Sequence, residues 1–161
     1  MSETGLLILR LAVGIVSVAH GAHTLFGSLG GPGTGMGLGG LDEAAARYAA
    51  VGLPGFLMAV LVGGAELIGG LLIAVGFMTR WAAAALAGLT LILAWKTHLP
   101  WGFFMNWIAE PGRGHGVEFS LLQLGAYICL ALIGGGDWSL EGRRAKRASY
   151  MAAGRARLRR N

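Results

Sequence analysis

The chain has 161 residues, 55% of them hydrophobic and 13% charged, with a net charge of +5 and a mean hydropathy of +0.62. A soluble domain carries about 25% charged residues, so this composition excludes an ordinary soluble enzyme and leaves little length outside the apolar stretches. The single cysteine, Cys129, excludes an intramolecular disulfide and a CxxC redox pair; inside an apolar stretch it reads as a small core residue.

Four runs are long and apolar enough to approach the roughly 20 residues of a bilayer span. The first runs about Leu6 to Phe26. No basic residue precedes Gly5 and the apolar run is long, so it reads as a retained helix rather than a cleavable signal peptide. The following segment, GSLGGPGTGMGLGG, places Gly35, Gly37 and Gly40 in GxGxxG spacing. A dinucleotide fingerprint needs a preceding strand within a βαβ unit, which is lacking here, and the segment reads as a flexible or re-entrant outer loop. A short interfacial helix starting near Asp42, with Asp42 as its cap, is expected before Pro54. The second span runs about Gly55 to Phe77. Met78-Thr79-Arg80 then makes a turn short enough to force the second and third spans into antiparallel contact. The third span runs about Trp81 to Leu99, and the fourth about Glu118 to Ile133. A basic tail occupies residues 143–161.

The expected fold is all-α, an integral membrane four-helix bundle over residues 1–142 followed by that tail. Glycine pairs in the second span, Gly63-Gly64 and Gly69-Gly70, are expected to let neighbouring helices approach closely. Ten of the thirteen Lys and Arg residues, namely Arg10, Arg80 and eight in the tail, fall on one side of this topology. Arg47, Lys96 and Arg113 fall on the other. The positive-inside rule therefore puts both termini in the cytoplasm and the protein in the cell (inner) membrane as a multi-pass protein. The tail reads as a topology determinant lying on anionic lipid rather than as a nucleic-acid patch.

Ionisable groups at membrane depth are costly and call for a partner or a function. At about 1.5 Å per residue, His20 lies roughly 9 Å inside the outer end of the first span, and Glu66 roughly 14–17 Å inside the second. His23, Lys96, His98, His115, Glu118 and Gln123 gather in the same outer half, above Glu66, which implies a polar pocket open to the outer leaflet. Arg10, near the inner end, is positioned to snorkel. His20, Glu66 and His98 are the candidate catalytic groups, able to exchange protons with a bound ring. His23, Lys96, Trp101, Phe104, Asn106, Arg113, His115, Glu118 and Gln123 are the candidate binding residues. Each has a plainer reading. His20 can bond a helix carbonyl, Glu66 can pair with Arg10, His20 or Lys96, and Lys96 and Arg113 can reach headgroups. The tryptophans can anchor the interface, although Trp101 to Trp107 can also wall a ring-shaped ligand. His20 and His23 share a helix face, but two ligands do not make a zinc site, and no bound metal, haem or flavin is expected.

The stretches LRLAVGIVSVAHGAHTLFG, AELIGGLLIAVGFMTRWAA, HLPWGFFMNW with GHGVEF, and GGGDWSLEG resemble, in that order, the signatures of the DoxX/DoxD membrane proteins. The resemblance, which runs from Leu6 to Gly142, implies a four-helix membrane protein, often a subunit of a quinol oxidase or of a thiosulfate:quinone oxidoreductase. Its motifs map onto His20, Gly21, Glu66, Arg80, His98, Gly102, Phe103, Asn106 and Glu118. The family often carries Lys where this chain has Thr24. The function expected is a membrane redox subunit meeting quinone in the outer half of the bilayer and receiving electrons from a partner redox protein. The alternative is a non-enzymatic anchor or assembly factor. A homo-oligomer fits either reading, whereas a small-solute transporter is disfavoured because no inverted repeat is visible.

Overall fold

The computed structural model describes residues 2–27, 29 and 39–158; the GxGxxG glycines Gly35 and Gly37 and the tail beyond Leu158 lie outside them. The described residues form six α-helices: α1 (Glu3–Phe26), α2 (Leu41–Ala50), α3 (Gly55–Val75), α4 (Thr79–Leu93), α5 (Glu118–Ile133) and α6 (Leu140–Leu158). A π-helical turn (Ala94–His98) and a 3-10 turn (Leu99–Trp101) prolong α4. Three helical segments, Glu3–Phe26, Gly55–Val75 and Thr79–Trp101, are long and apolar enough to cross a membrane. α5 is apolar but has only 16 residues, about 24 Å of helix, somewhat short of a hydrocarbon core of about 30 Å.

Local signals set the helix ends. Ser2 caps α1, its hydroxyl accepting from the Gly5 N–H at 3.1 Å, so the helix starts three residues before the apolar run. α1 and α3 both end on glycines in the left-handed region, Gly27 (φ 69°) and Gly76 (φ 73°). Asp42 does not cap α2: the N-cap is Gly40, and Asp42 lies inside the first turn. The turn between α3 and α4 is Gly76–Met78, because Thr79 and Arg80 are already helical.

α1 packs chiefly on α3, α3 on α4, α4 on α5 and α5 back on α1, while α2 lies against α3. The α1–α3 pair is antiparallel and held by glycines at heptad spacing. A β-carbon on Gly21 would sit 2.7 Å from the Gly63 carbonyl oxygen, and one on Gly14 would sit 2.8 Å from that of Gly70. Only backbone fits there, as in small-residue helix contacts within membranes. Gly63 and Gly70 serve this packing and Gly69 makes room for Leu86 of α4, whereas Gly64 faces open space. The core comprises Leu6, Ile73, Ala82, Ala83, Leu86, Tyr127 and Leu130. Cys129 is half-buried and free.

One end of the molecule is tied together by polar side chains. Arg10 is 3% exposed and does not snorkel. It donates to the carbonyls of Ala74 (3.2 Å), Gly135 (2.6 Å) and Trp138 (3.4 Å), joining α1 to the C-terminal end of α3 and to the segment between α5 and α6. Helices leave their last carbonyls unpaired, and a planar guanidinium with five donors can satisfy several at once. Arg80 reaches the Ile133 carbonyl at 3.3 Å, Glu3 accepts from the Asp137 N–H at 2.7 Å, and Glu141 accepts from the Met78 N–H at 2.8 Å. The GGGDWSLEG segment is thus a backbone hub. The basic tail beyond it is not irregular, because α6 begins within the hub and continues to Leu158.

Candidate functional site

The opposite end holds α1's last turns, the start of α3, the π turn and the start of α5. The antiparallel register of α1 and α3, with Gly21 against Gly63 and Leu67, brings Glu66 level with His20. Glu66 is therefore not beneath His20, as separate depth counts from each helix end suggest, although it stays about a turn below His23; α3 and α1 do not end in one plane. His20 lies within electrostatic reach of His23 and His98, and its ring stands 5.6 Å from that of Phe119, tilted by 38°. His23 is 4% exposed, and its ring packs against the backbone of Gly39.

Glu66 is half-buried in α3 and, among the described residues, makes no hydrogen bond or ion pair. The possible pairing with Arg10, His20 or Lys96 does not form: Arg10 is held on the carbonyls of Ala74, Gly135 and Trp138 at the opposite end, and the Lys96 ammonium sits 5.5 Å from the Trp95 ring centroid. Two tyrosines feel the Glu66 charge, Tyr127 of α5 and Tyr48 of α2. Burial pushes the Tyr48 phenol up to about 12, the Glu66 charge adds to this and Arg47 opposes it.

A hydrogen-bond chain runs past Glu66, and its direction is forced. The Ser17 hydroxyl spends its only proton on the Val13 carbonyl (2.7 Å) and so accepts from the Tyr127 hydroxyl (2.7 Å). Tyr127 in turn accepts from the Gln123 amide at 2.8 Å. The chain ends on backbone, and among the described residues none of its groups bonds Glu66. It fixes Tyr127, 1% exposed, and orients Gln123, leaving Glu66 as the one uncommitted acid at this level among the described residues.

The connection from α4 to α5 is knitted by its own polar residues. Pro100 lacks an N–H, and a π turn before it inserts an extra residue into the winding, turning His98 and the residues beyond it by about 100°. The His98 Nδ1 donates to the His115 carbonyl at 3.0 Å, which leaves its Nε2 free to accept a proton. The His115 Nδ1 accepts from the Asn106 N–H at 3.3 Å, so neutral His115 carries its proton on Nε2. Asn106, 7% exposed, bonds the carbonyls of Glu110 (3.1 Å) and Arg113 (2.8 Å) and accepts from the Glu110 N–H (2.9 Å). The Glu118 carboxylate takes the Met105 N–H at 3.0 Å, while its own N–H reaches the Phe103 carbonyl at 2.8 Å. A β-carbon on Gly116 would sit 2.6 Å from three carbonyl oxygens, those of Gly102, Phe103 and Phe104, so the loop closes only with glycine.

The expected binding residues therefore divide. His20 lies within electrostatic reach of His98, and Glu66 within that of Tyr127, to which Gln123 is bonded. Asn106 and Glu118, with the Nδ1 of His115, hold the loop backbone. Lys96, Trp101, Phe104 and Arg113 are exposed, and Arg113 pairs with Glu110 at 3.4 Å. Tyr48, Tyr127 and Ser17 were not singled out by sequence reasoning. A tyrosine and a serine inside helices carry no pattern that marks them, and only the helix register pairs them. The two cavities described, of about 400 and 300 Å³, are apolar grooves along α3–α4 and α1–α3. Neither is lined by Glu66 or a histidine, so neither is the expected polar pocket. No group of three or more His, Cys, Asp or Glu among the described residues could hold a metal ion.

A family model described as DoxX matches residues 5–99, more than half of the chain. The match spans α1 through the π turn and stops before the HLPW segment is complete, leaving the knitted loop, α5 and the hub outside it. No curated protein and no solved structure matches.

Proposed function

The chain belongs to the DoxX family of membrane proteins, and on that premise we propose that it is a membrane redox subunit handling quinone at the Glu66–His20–His98 end. The observation that carries this reading is Glu66, an acid inside an apolar helix with no hydrogen bond or ion pair among the described residues. Burial of such a group is costly, and Arg10 and Lys96, the two cations that could offset it, make their contacts elsewhere.

In this reading α1, α3, the α4 segment and α5 cross the bilayer as a four-helix bundle, α5 with help from its flanking loop backbone. The Arg10 end faces the cytoplasm, as the basic residues imply, and the Glu66 end lies in the outer half of the inner membrane. A quinone supplies ring oxygens that take up protons on reduction. Glu66 is the residue able to hold and release a proton there. His98 presents Nε2 as a second site because its Nδ1 is committed to the His115 carbonyl. His20 stands within electrostatic reach of His98 and is the third. The Gln123–Tyr127–Ser17 chain keeps the α5 face fixed and leaves Gln123's carbonyl oxygen for a ring hydroxyl. Electrons enter from a partner redox protein or directly from a reduced substrate.

The test is purification into lipid nanodiscs with mass spectrometry of everything retained. Quinone at one per chain, reduced when the chain is supplied with its donor and lost in Glu66→Leu protein of unchanged fold, is the expected result. Only phospholipid in the wild-type discs, or a co-purifying partner without a redox centre, overturns it in favour of an anchor or assembly role.

A further inference from the structure

We infer that α6 is an interfacial helix whose occupant is the anionic phospholipid surface of the leaflet at the Arg10 end. This goes beyond the redox reading and does not depend on it. Every described residue of α6 from Arg143 onward is exposed. A helix of 19 residues whose described side chains beyond its first turns pack on nothing else is marginal in water, so its stability calls for an external surface. Its charge states which. Arg143, Arg144, Lys146, Arg147 and Arg155 are basic, and the helix's one acid, Glu141, is taken by the Met78 N–H.

At 100° per residue, Leu140, Arg147 and Met151 form a stripe. Arg143, Lys146 and Tyr150 flank it on one side, and Arg144 and Arg155 on the other. The opposite arc is Ala145, Ala148, Ser149, Ala152 and Ala153. Apolar residues within a cationic face suit a headgroup layer, where long basic side chains reach phosphates while Tyr150 (78% exposed) and Met151 (56% exposed) sink between them. An acidic protein groove would match the charge, but it offers no apolar partner to Leu140, Tyr150 and Met151, which lie within the cationic face.

The helix is also held where such a surface is. The Glu141 N–H bonds the Gly76 carbonyl (3.2 Å), Lys146 pairs with Asp137 (2.6 Å), and Arg144 lies 5.5 Å from the Phe77 ring centroid. These contacts fix the first turns of α6 to the ends of α3 and α5, at the edge of the apolar helices.

The test uses the full chain with Met151→Cys in a Cys129→Ala background, spin-labelled, one copy per nanodisc. Accessibility to oxygen and to a water-soluble nickel reagent is read. In discs with 30% anionic lipid, the label moves from water-accessible to oxygen-accessible. It returns to water in purely zwitterionic discs, at 1 M salt, or when Arg143, Arg144, Arg147 and Arg155 are changed to Gln. Each arginine removed weakens lipid engagement about fivefold. A label equally wet in both lipid compositions overturns the inference. So does protection that needs two copies per disc, which assigns the helix to a second chain, or protection that needs an added acidic protein. Tm of the four-Gln variant within a degree or two of wild type, measured in zwitterionic detergent, shows that the fold survives the change.

Discussion

The two ends of this molecule use polar residues in opposite ways. At the Arg10 end, the guanidinium, Glu3, Arg80, Glu141 and Ser139 each bond a backbone group at a helix terminus, and the buried Thr79 hydroxyl alone among the described residues lacks a partner. At the other end, Glu66 is left without a hydrogen bond, and His98 is held by one nitrogen with the other available. Buried polar groups that are all satisfied rigidify a fold. A half-buried acid left without a partner inside an apolar helix is costly and is a candidate for chemistry rather than for structure. The comparison teaches which polar residues in this chain to read as structure and which as chemistry.

The sharpest way to break that comparison is Arg10→Met, which leaves three carbonyls without a donor in a water-poor setting. Stability should fall by about 3 kcal/mol or more, read as a lower unfolding midpoint in detergent, with Arg10→Lys recovering only part because it lacks the planar fork. An unchanged midpoint would mean that the hub does not hold the helix ends. Gly21→Ala comes next. Its β-carbon collides with α3 backbone, and the expected cost is about 1–3 kcal/mol. Gly88→Ala, which meets open space, should change stability by about 1 kcal/mol or less, in the stabilising direction.

Tyr48 gives a pH signature specific to the Glu66 end. Its folded value, about 12, lies above the ordinary 10, so between these values the unfolded chain gives up its proton while the folded one keeps it. Stability is full below pH 10 and falls as pH rises to 12, by up to about 2 kcal/mol, and Tyr48→Phe should remove that slope. The smallest stability effect belongs to Glu66→Gln. No partner among the described residues is lost, so the midpoint should stay level or rise, while the quinone reduction proposed above should fall about a hundredfold or more. A destabilised Glu66→Gln would show that the carboxylate is structural after all and would erase the contrast between the ends.

Much of this was legible in residue order. The all-α class, membrane residence and the family came from runs of apolar residues and from the ordered signatures. Backbone self-satisfaction in lipid leaves helices as the natural solution for such runs. Spacing within one helix also showed that His20 and His23 share a face. What residue order could not supply was the level at which helices meet. Counting from each end put Glu66 below His20, but the glycine contacts of α1 with α3 put them side by side. Arg10 looked like a snorkelling cation because the carbonyls it binds belong to residues 64 to 128 positions away. Asn106 and Glu118 looked like ligand contacts because a polar side chain's donor and acceptor groups are the same whether its partner is a substrate or its own loop. Composition and periodicity are local and survive in the sequence. The pairing of a polar group is a distance between segments, set by helix register and by turns such as the π turn before Pro100, and only the folded chain decides it.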